Sequence, residues 1–188
     1  ATTQAKASLA VGQSNLNLIK GVSGTNNTGV VFAPAGFPVN ANANGVDAFD
    51  WVDYVLTITN SGEAPAYDLI VNDFPDTPQM GACSLVSVLD EAGNPVSSSG
   101  NLFGAGLAIP VVPTQAESPD GNRIFVNYQC QVADGALNRD QNVNTAQVTW
   151  AAVPGGTNRF DPVSDEASVT IRRPQISTLV SDIVSGYK

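Results

Sequence analysis

The chain has 188 residues, with eight Lys plus Arg against seventeen Asp plus Glu for a formal charge of −9, and only 13% of its residues are charged. With no basic cluster it has no means of neutralising phosphates, so nucleic acid is not an expected partner. It contains no His, which removes Ser-His-Asp and Cys-His catalysis and every His-containing zinc site.

Abundant Thr, Ser, Asn, Gly, Ala and Val suit exposed strands and turns, and the length supports one core, so a single all-β domain is expected. The start, Ala1-Thr2-Thr3-Gln4, carries neither Met nor a charged-then-apolar leader, as in a processed or excised chain. Residues 5–22 alternate loosely, and a polar, Gly-rich stretch from Ser23 to Asp47 predicts a long surface loop. The strongest strand signal follows at Trp51–Thr59. Asn60-Ser61-Gly62-Glu63-Ala64-Pro65 then has turn chemistry, and Tyr67–Val71 is predicted as the hairpin partner.

Further strands are predicted at Cys83–Leu89, Arg123–Ala133, Asn142–Val153 and Ala167–Arg172, with a second loop insertion from Asp90 to Gly121. Many short strands joined by turns predict a sandwich. After Arg173-Pro174, apolar residues recur at Ile176, Leu179, Val180, Ile183 and Val184, a spacing that fits a helical face or a loose strand. The expected division is a domain over 1–174 and a linker or exchanged segment over 175–188. No run of apolar residues reaches bilayer-spanning length, so no transmembrane segment is expected.

From Asp50 to Pro75 a Tyr- and Thr-rich strand leads into Asn60-Ser61-Gly62, a small-residue turn, a β-branched strand and Asp73-Phe74-Pro75. This pattern resembles the repeat family called "domain of unknown function eleven", found in tandem on bacterial and archaeal surface proteins. Asn144-Thr145-Ala146-Gln147-Val148-Thr149-Trp150 resembles that family's closing strand, and Leu18-Ile19-Lys20-Gly21-Val22-Ser23 its opening one. The resemblance implies an immunoglobulin-like antiparallel β-sandwich with long loop insertions, serving as a load-bearing extracellular domain of a cell-surface adhesin or fibre. Its implied partners are neighbouring copies of itself, adjacent repeat domains, or a host or surface ligand. The family implies architecture more than activity.

Cys83 and Cys130 both fall in predicted strands, and an even count in an extracellular setting admits a disulfide; two buried thiols are the other reading. Strand parity places Leu16, Leu18, Lys20 and Val22 on one face, and Asn144, Ala146, Val148 and Trp150 on one face of the late strand, so Lys20 and Asn144 both point inward. A buried Lys amine beside an Asn amide under a protonated carboxyl is the arrangement for an intramolecular isopeptide bond, with ammonia leaving. Such bonds between first and last strands occur in related surface-adhesin sandwiches. Parity favours Asp50 as the acid, in phase with Tyr54, Leu56 and Ile58, over Asp53 on the other face, with Asp73 as the alternative. The competing reading is that Lys20 snorkels to solvent and Asn144 hydrogen-bonds a turn.

No carboxylate pair is placed across a cleft, so the chain is not read as an enzyme. No cofactor is expected. Asp47, Asp50, Asp53, Asp161, Asp165 and Glu166 leave calcium open, although no ordered calcium-loop spacing is present. Asn26-Asn27-Thr28 is the lone glycosylation sequon. Two alternatives stand beside the load-bearing domain. One is a self-polymerising subunit in which Thr3, Ala5, Ala7, Leu9 and Val11, or the apolar tail, complete a neighbour's sheet. The other is a carbohydrate-binding module, which has only Trp51 and Trp150 to stack on sugars.

Overall fold

The structure, a computed structural model, describes residues 12–33, 39–76, 78–134, 136 and 142–172. The expected boundary at Pro174, the apolar tail and the alternating segment Thr3 to Val11 lie outside the described residues.

The described chain is all-β: β1 (Leu16–Thr25), β2 (Val31–Ala33), β3 (Asn42–Val46), β4 (Trp51–Asn60), β5 (Ala66–Phe74), β6 (Met80–Asp90), β7 (Ser99–Asn101), β8 (Gly106–Val112), β9 (Arg123–Val132), β10 (Asn142–Ala151) and β11 (Val163–Ile171). They form an immunoglobulin-like sandwich. One sheet has the order β1-β4-β9-β6, and the other β2-β3-β11-β10-β5-β8-β7. Every pairing is antiparallel except β11 with β3.

Alternation explains why these segments pair face to face. Along β9, Ile124, Val126, Tyr128, Cys130 and Val132 are buried while the residues between them are half-buried, the period-2 pattern of a strand with one face on a core. β4 supplies Val52, Tyr54, Leu56 and Ile58 to the same interior, and β5, β8 and β10 face them with Leu69, Val71, Leu107, Ile109, Ala146 and Val148. Burying a side chain of this size contributes roughly 1.5–3 kcal/mol.

Two expectations need correction. Trp51–Thr59 and Tyr67–Val71 do not form a hairpin: β4 pairs with β1 and β9, whereas β5 pairs with β10 and β8 in the opposite sheet. The connection crosses the sandwich because both strands carry a mostly apolar inner face, broken on β5 by Asp73, and two such faces are covered by facing each other. Asn60, wholly buried, anchors the crossing: its Nδ2 donates to the carbonyls of Ala64, Val112 and Pro113 and its Oδ1 accepts from the N–H groups of Asn15 and Gly62.

The two predicted loop insertions also contain strands. Residues 23–47 contribute the end of β1, all of β2 and β3, and buried Ala41, Ala43 and Val46; residues 90–121 contribute β7 and β8 with buried Leu102, Leu107, Ile109 and Val112. Gly and Pro concealed β8. Gly106, at φ +109°, approaches Ile70 so closely that a Cβ would stand 2.4 Å from its Cγ2. Pro110 sits where the short neighbour β7, paired only to residues 106–108, has already ended, so its missing N–H costs the ladder nothing.

Candidate functional site

Lys20 lies opposite Leu56 in the β1–β4 register, and its side chain runs into the space between the sheets, where it is entirely buried. Asp73 comes from β5 and is paired with Ala146 of β10, so Asn144 stands two residues along on the same inner face. Both are about 1% exposed. Lys20 Nζ donates to Asp73 Oδ2 at 2.5 Å, Tyr128 Oη donates to the same oxygen at 2.9 Å, and Asn144 Nδ2 donates to Tyr128 Oη at 2.9 Å. One amine, one carboxyl, one phenol and one carboxamide therefore meet in an apolar core.

Two tyrosines form a wall of this chamber. Tyr54 and Tyr128 are register partners on β4 and β9 and stack at 5.0 Å with 8° between their planes. Lys20 Nζ lies 5.5 and 5.6 Å from their ring centroids, within cation–π range when charged. Alternation along the sequence puts Tyr54 on the inner face without a role and does not single out Tyr128. A signal existed, because a tyrosine on an otherwise apolar strand face needs a partner for its hydroxyl.

The electrostatics follow from burial. Removal from water lowers the Lys20 amine from 10.5 to about 8, against the opposing pull of Asp73. The same desolvation raises the Asp73 carboxyl, against Lys20 and its hydrogen-bond donors, and raises the Tyr128 phenol well above its usual value. Each shift favours the neutral form, amine beside carboxylic acid. Asp73 Oδ1 and Asn144 Oδ1 are buried acceptors without a donor, and the Asn144 amide lies against the Asp73 carboxyl. A proton on that carboxyl supplies the donor that the two oxygens lack.

Asp50, the acid favoured by parity, is not in this chamber. It precedes β4 in the turn where Phe49 has φ +69°, and its Oδ2 accepts from Asn27 Nδ2 and the Asp47 N–H. Since Lys20 is level with Leu56, six residues of strand separate Asp50 from the amine, roughly 20 Å. Parity assigns a face, not a height along it. Asp53 also lies outside, facing Gly24 on the outer side of β4.

Asn144 lies on β10, with β11 still to follow, so the expectation that it occupies the closing strand is corrected by one strand. β11 reaches β1 by another route: Asp165 Oδ2 accepts the backbone N–H of Lys20 at 2.7 Å.

Cys83 and Cys130 are bonded to each other, directly opposite on β6 and β9. Three of the acidic residues considered for calcium accept hydrogen bonds from the protein: Asp47 from Asn27 and Arg172, Asp50 from Asn27 and the Asp47 N–H, and Asp165 from the Lys20 N–H. Among the described residues no three His, Cys, Asp or Glu side chains group as metal ligands. Trp150 is buried, donating to Ser14 Oγ and stacked on Phe160, which removes it as a sugar platform. A hollow of about 750 Å³, lined by Thr59, Glu63, Gln115 and Arg123 among others, holds neither Trp.

Neither a protein-family model nor a curated protein matches the sequence. Among solved structures the chain is similar to the T6 backbone pilin of serotype M6 Streptococcus pyogenes, with 15% identity and TM-score 0.48, covering 83% of this chain and 36% of that one. It is also similar to BcpA, the major pilin subunit of Bacillus cereus, with 12% identity and TM-score 0.46, covering 84% and 40%. A third is the collagen adhesin of S. aureus, with 16% identity and TM-score 0.40, covering 68% and 47%. The chain thus spans less than half the length of each. Among the described residues no helix is long and apolar enough to cross a membrane.

Proposed function

We propose that this chain is a structural, load-bearing domain of a bacterial surface adhesin or fibre, locked by an isopeptide bond between Lys20 and Asn144 with Asp73 as the acid. The observation that carries this reading is the buried hydrogen-bonded set of Lys20, Asp73 and Asn144, drawn from both sheets. A buried Lys–Asp pair is a poor stabilising device, because desolvation offsets much of its attraction. An amine that burial makes easier to deprotonate, gathered with a carboxyl that burial makes easier to protonate and with an amide that such an acid can polarise, is instead an arrangement suited to condensation. Lys20 Nζ bonds to Asn144 Cγ, the Cγ–Nδ2 bond breaks, and ammonia leaves.

The consequence is mechanical. Tension applied at the ends of the described chain would pass from β1 through the bond into β10 and β11, leaving Gly21 to Val143 outside the load path. The Cys83–Cys130 disulfide supports an oxidising, extracellular setting, and we assign the chain to the surface-repeat family that residues 50–75 resemble. Intact mass of denatured, reduced protein tests the bond: one ammonia should be missing, the loss should disappear in Lys20→Ala, and digestion should yield a branched peptide joining Lys20 to Asn144. Full sequence mass in the wild-type protein rejects the reading.

A second reading, a subunit that polymerises by accepting a donated strand, is favoured by β6. It is at an edge of its sheet, is eleven residues long, exposes Leu85 and Val86, and is covered by residues 94–96 only at its end, from Val88 to Asp90, which leaves a stretch of the kind that pairs with another chain. Loss of filaments on deleting residues 1–11, with the domain still folded, would support this reading; filaments that persist would reject residues 1–11 as the donor.

A further inference from the structure

We propose that Tyr128 is a catalytic proton relay in the Lys20–Asn144 condensation, carrying to the leaving nitrogen the proton that the attacking nitrogen gives up. The inference rests on the bond proposed above and goes beyond it by naming how the reaction disposes of its proton.

The geometry is a continuous chain. The nucleophile Lys20 Nζ is 2.5 Å from Asp73 Oδ2, that oxygen is 2.9 Å from Tyr128 Oη, and that hydroxyl is 2.9 Å from Asn144 Nδ2, the atom that leaves as ammonia. The four positions run from the bond being made to the bond being broken. Tyr54 does not close such a chain, since its hydroxyl, although near the Asn144 amide, makes no hydrogen bond to the Asp73 carboxyl, which Tyr128 does.

The chemistry requires this connection. Amide nitrogen is a poor leaving group and must be protonated as the Cγ–Nδ2 bond breaks, while the attacking amine must lose one proton to become an amide nitrogen. In the planar amide Nδ2 only donates, as it does here to Tyr128 Oη; when attack makes Cγ tetrahedral, Nδ2 regains a lone pair and becomes an acceptor. A hydroxyl rotates to suit its partners, so the Tyr128 O–H then turns toward Nδ2. One proton passes from Nζ to the Asp73 carboxyl, one from that carboxyl to Tyr128 Oη, and one from Tyr128 to Nδ2. The Nζ–Cγ bond forms, the Cγ–Nδ2 bond breaks, and ammonia departs. Asp73 and Tyr128 finish in the protonation states in which they began, and no outside acid or base is consumed.

A hydroxyl also suits the site better than water. The chamber is walled by Tyr54, Tyr128 and apolar strand faces, and Tyr128 itself is 1% exposed. In a chamber so shielded from bulk solvent, the carrier already in hydrogen-bond contact with both the carboxyl and the leaving nitrogen is the Tyr128 hydroxyl.

The test uses the full chain made by cell-free synthesis, quenched in denaturant at intervals, reduced and weighed. Wild-type protein should lose one ammonia, and Tyr128→Phe, which deletes only the hydroxyl, should lose it about a hundredfold more slowly, the scale of one general acid–base contribution. Because Tyr128→Phe can impair folding, a second chain carries 3-fluorotyrosine at position 128, which keeps shape and hydrogen bonds but makes the phenol more acidic. A relay predicts a several-fold change in the rate of ammonia loss, whereas a purely positional role predicts none. If the wild-type chain never loses ammonia, bond and relay fail together. If it does, and either Tyr128→Phe matches it or the fluorinated chain does, the relay fails while the bond stands. If Tyr128→Phe does not fold, the fluorinated chain decides alone.

Discussion

Tyr54 and Tyr128 stand directly opposite each other on β4 and β9 and stack with their planes 8° apart, placing two parallel rings at nearly equal distances from Lys20 Nζ. Both are among the largest fully buried side chains of the protein. Truncating Tyr54 to Ala removes a ring, a stacked pair and part of the chamber wall. The expected cost is about 3–5 kcal/mol, measured by urea unfolding of chains that also carry Lys20→Ala, so that no cross-link masks the loss. A cost below about 1 kcal/mol would show that the ring is not part of the packing.

Asp73 and Asp50 separate cleanly in a mutational test. Asp73→Ala should abolish ammonia loss, because the carboxyl touching Nζ is gone. Asp50→Ala should leave that loss intact. It should instead loosen the turn before β4, where Asp50 accepts two hydrogen bonds, at a cost of roughly 1–3 kcal/mol. Intact mass and urea titration read the two effects independently, and ammonia loss that survives Asp73→Ala would remove Asp73 from the chemistry.

A chain kept open by Asn144→Ala should show an unusual dependence of stability on pH. The Lys20 amine is depressed from 10.5 to about 8, so between those values the unfolded state binds more protons and stability rises with pH. That contribution is complete above 10.5 and lost as pH falls through about 8. The Asp73 carboxyl is raised above 3.8, so its contribution is complete below 3.8 and lost as pH rises through the folded value. Unfolding free energies from urea titration should therefore pass through a trough near neutrality and recover by roughly 3 kcal/mol at most on the alkaline side. A Lys20→Met, Asn144→Ala chain should lack the alkaline recovery, and equal profiles for the two chains would count against a titrating Lys20.

The disulfide closes a segment of 47 residues, for which chain entropy gives about 4 kcal/mol of stabilisation. Cys83→Ser with Cys130→Ser should lose about that much. Since it ties the edge strand β6 to β9, faster amide exchange should appear first along β6. Uniform loss of protection in both sheets would show that the edge is not the weak element.

Asn60→Ala should be costly for a residue remote from the chamber. Five hydrogen bonds end on that one buried amide, and truncation leaves several backbone groups unpaired where β4 hands over to β5. A loss of about 2–4 kcal/mol is expected in denaturant titration, and a neutral effect would mean the crossing is held elsewhere.

Much of this protein was determined by local rules that operate within one strand. Alternation in β1, β4, β9 and β10 settles which side chains face inward, and so it named Lys20 and Asn144 as inward-facing from sequence. The same rules could not say which strand lies across from which. Whether Asn60 to Ala66 folds β5 back beside β4 or carries it to the other sheet depends on which apolar face is left uncovered, and that is decided by β8 and β10, far away in sequence. Gly106 and Pro110 hid β8, because their backbone preferences argue against a strand until Ile70 and the early end of β7 make room for them. The acid at Lys20 was decided in the same way. Asp50 and Asp73 both satisfied a pattern, but only Asp73 meets the amine across the sandwich, because height along a strand is set by pairing between strands and by how the two sheets face each other, not by the order of residues within one strand.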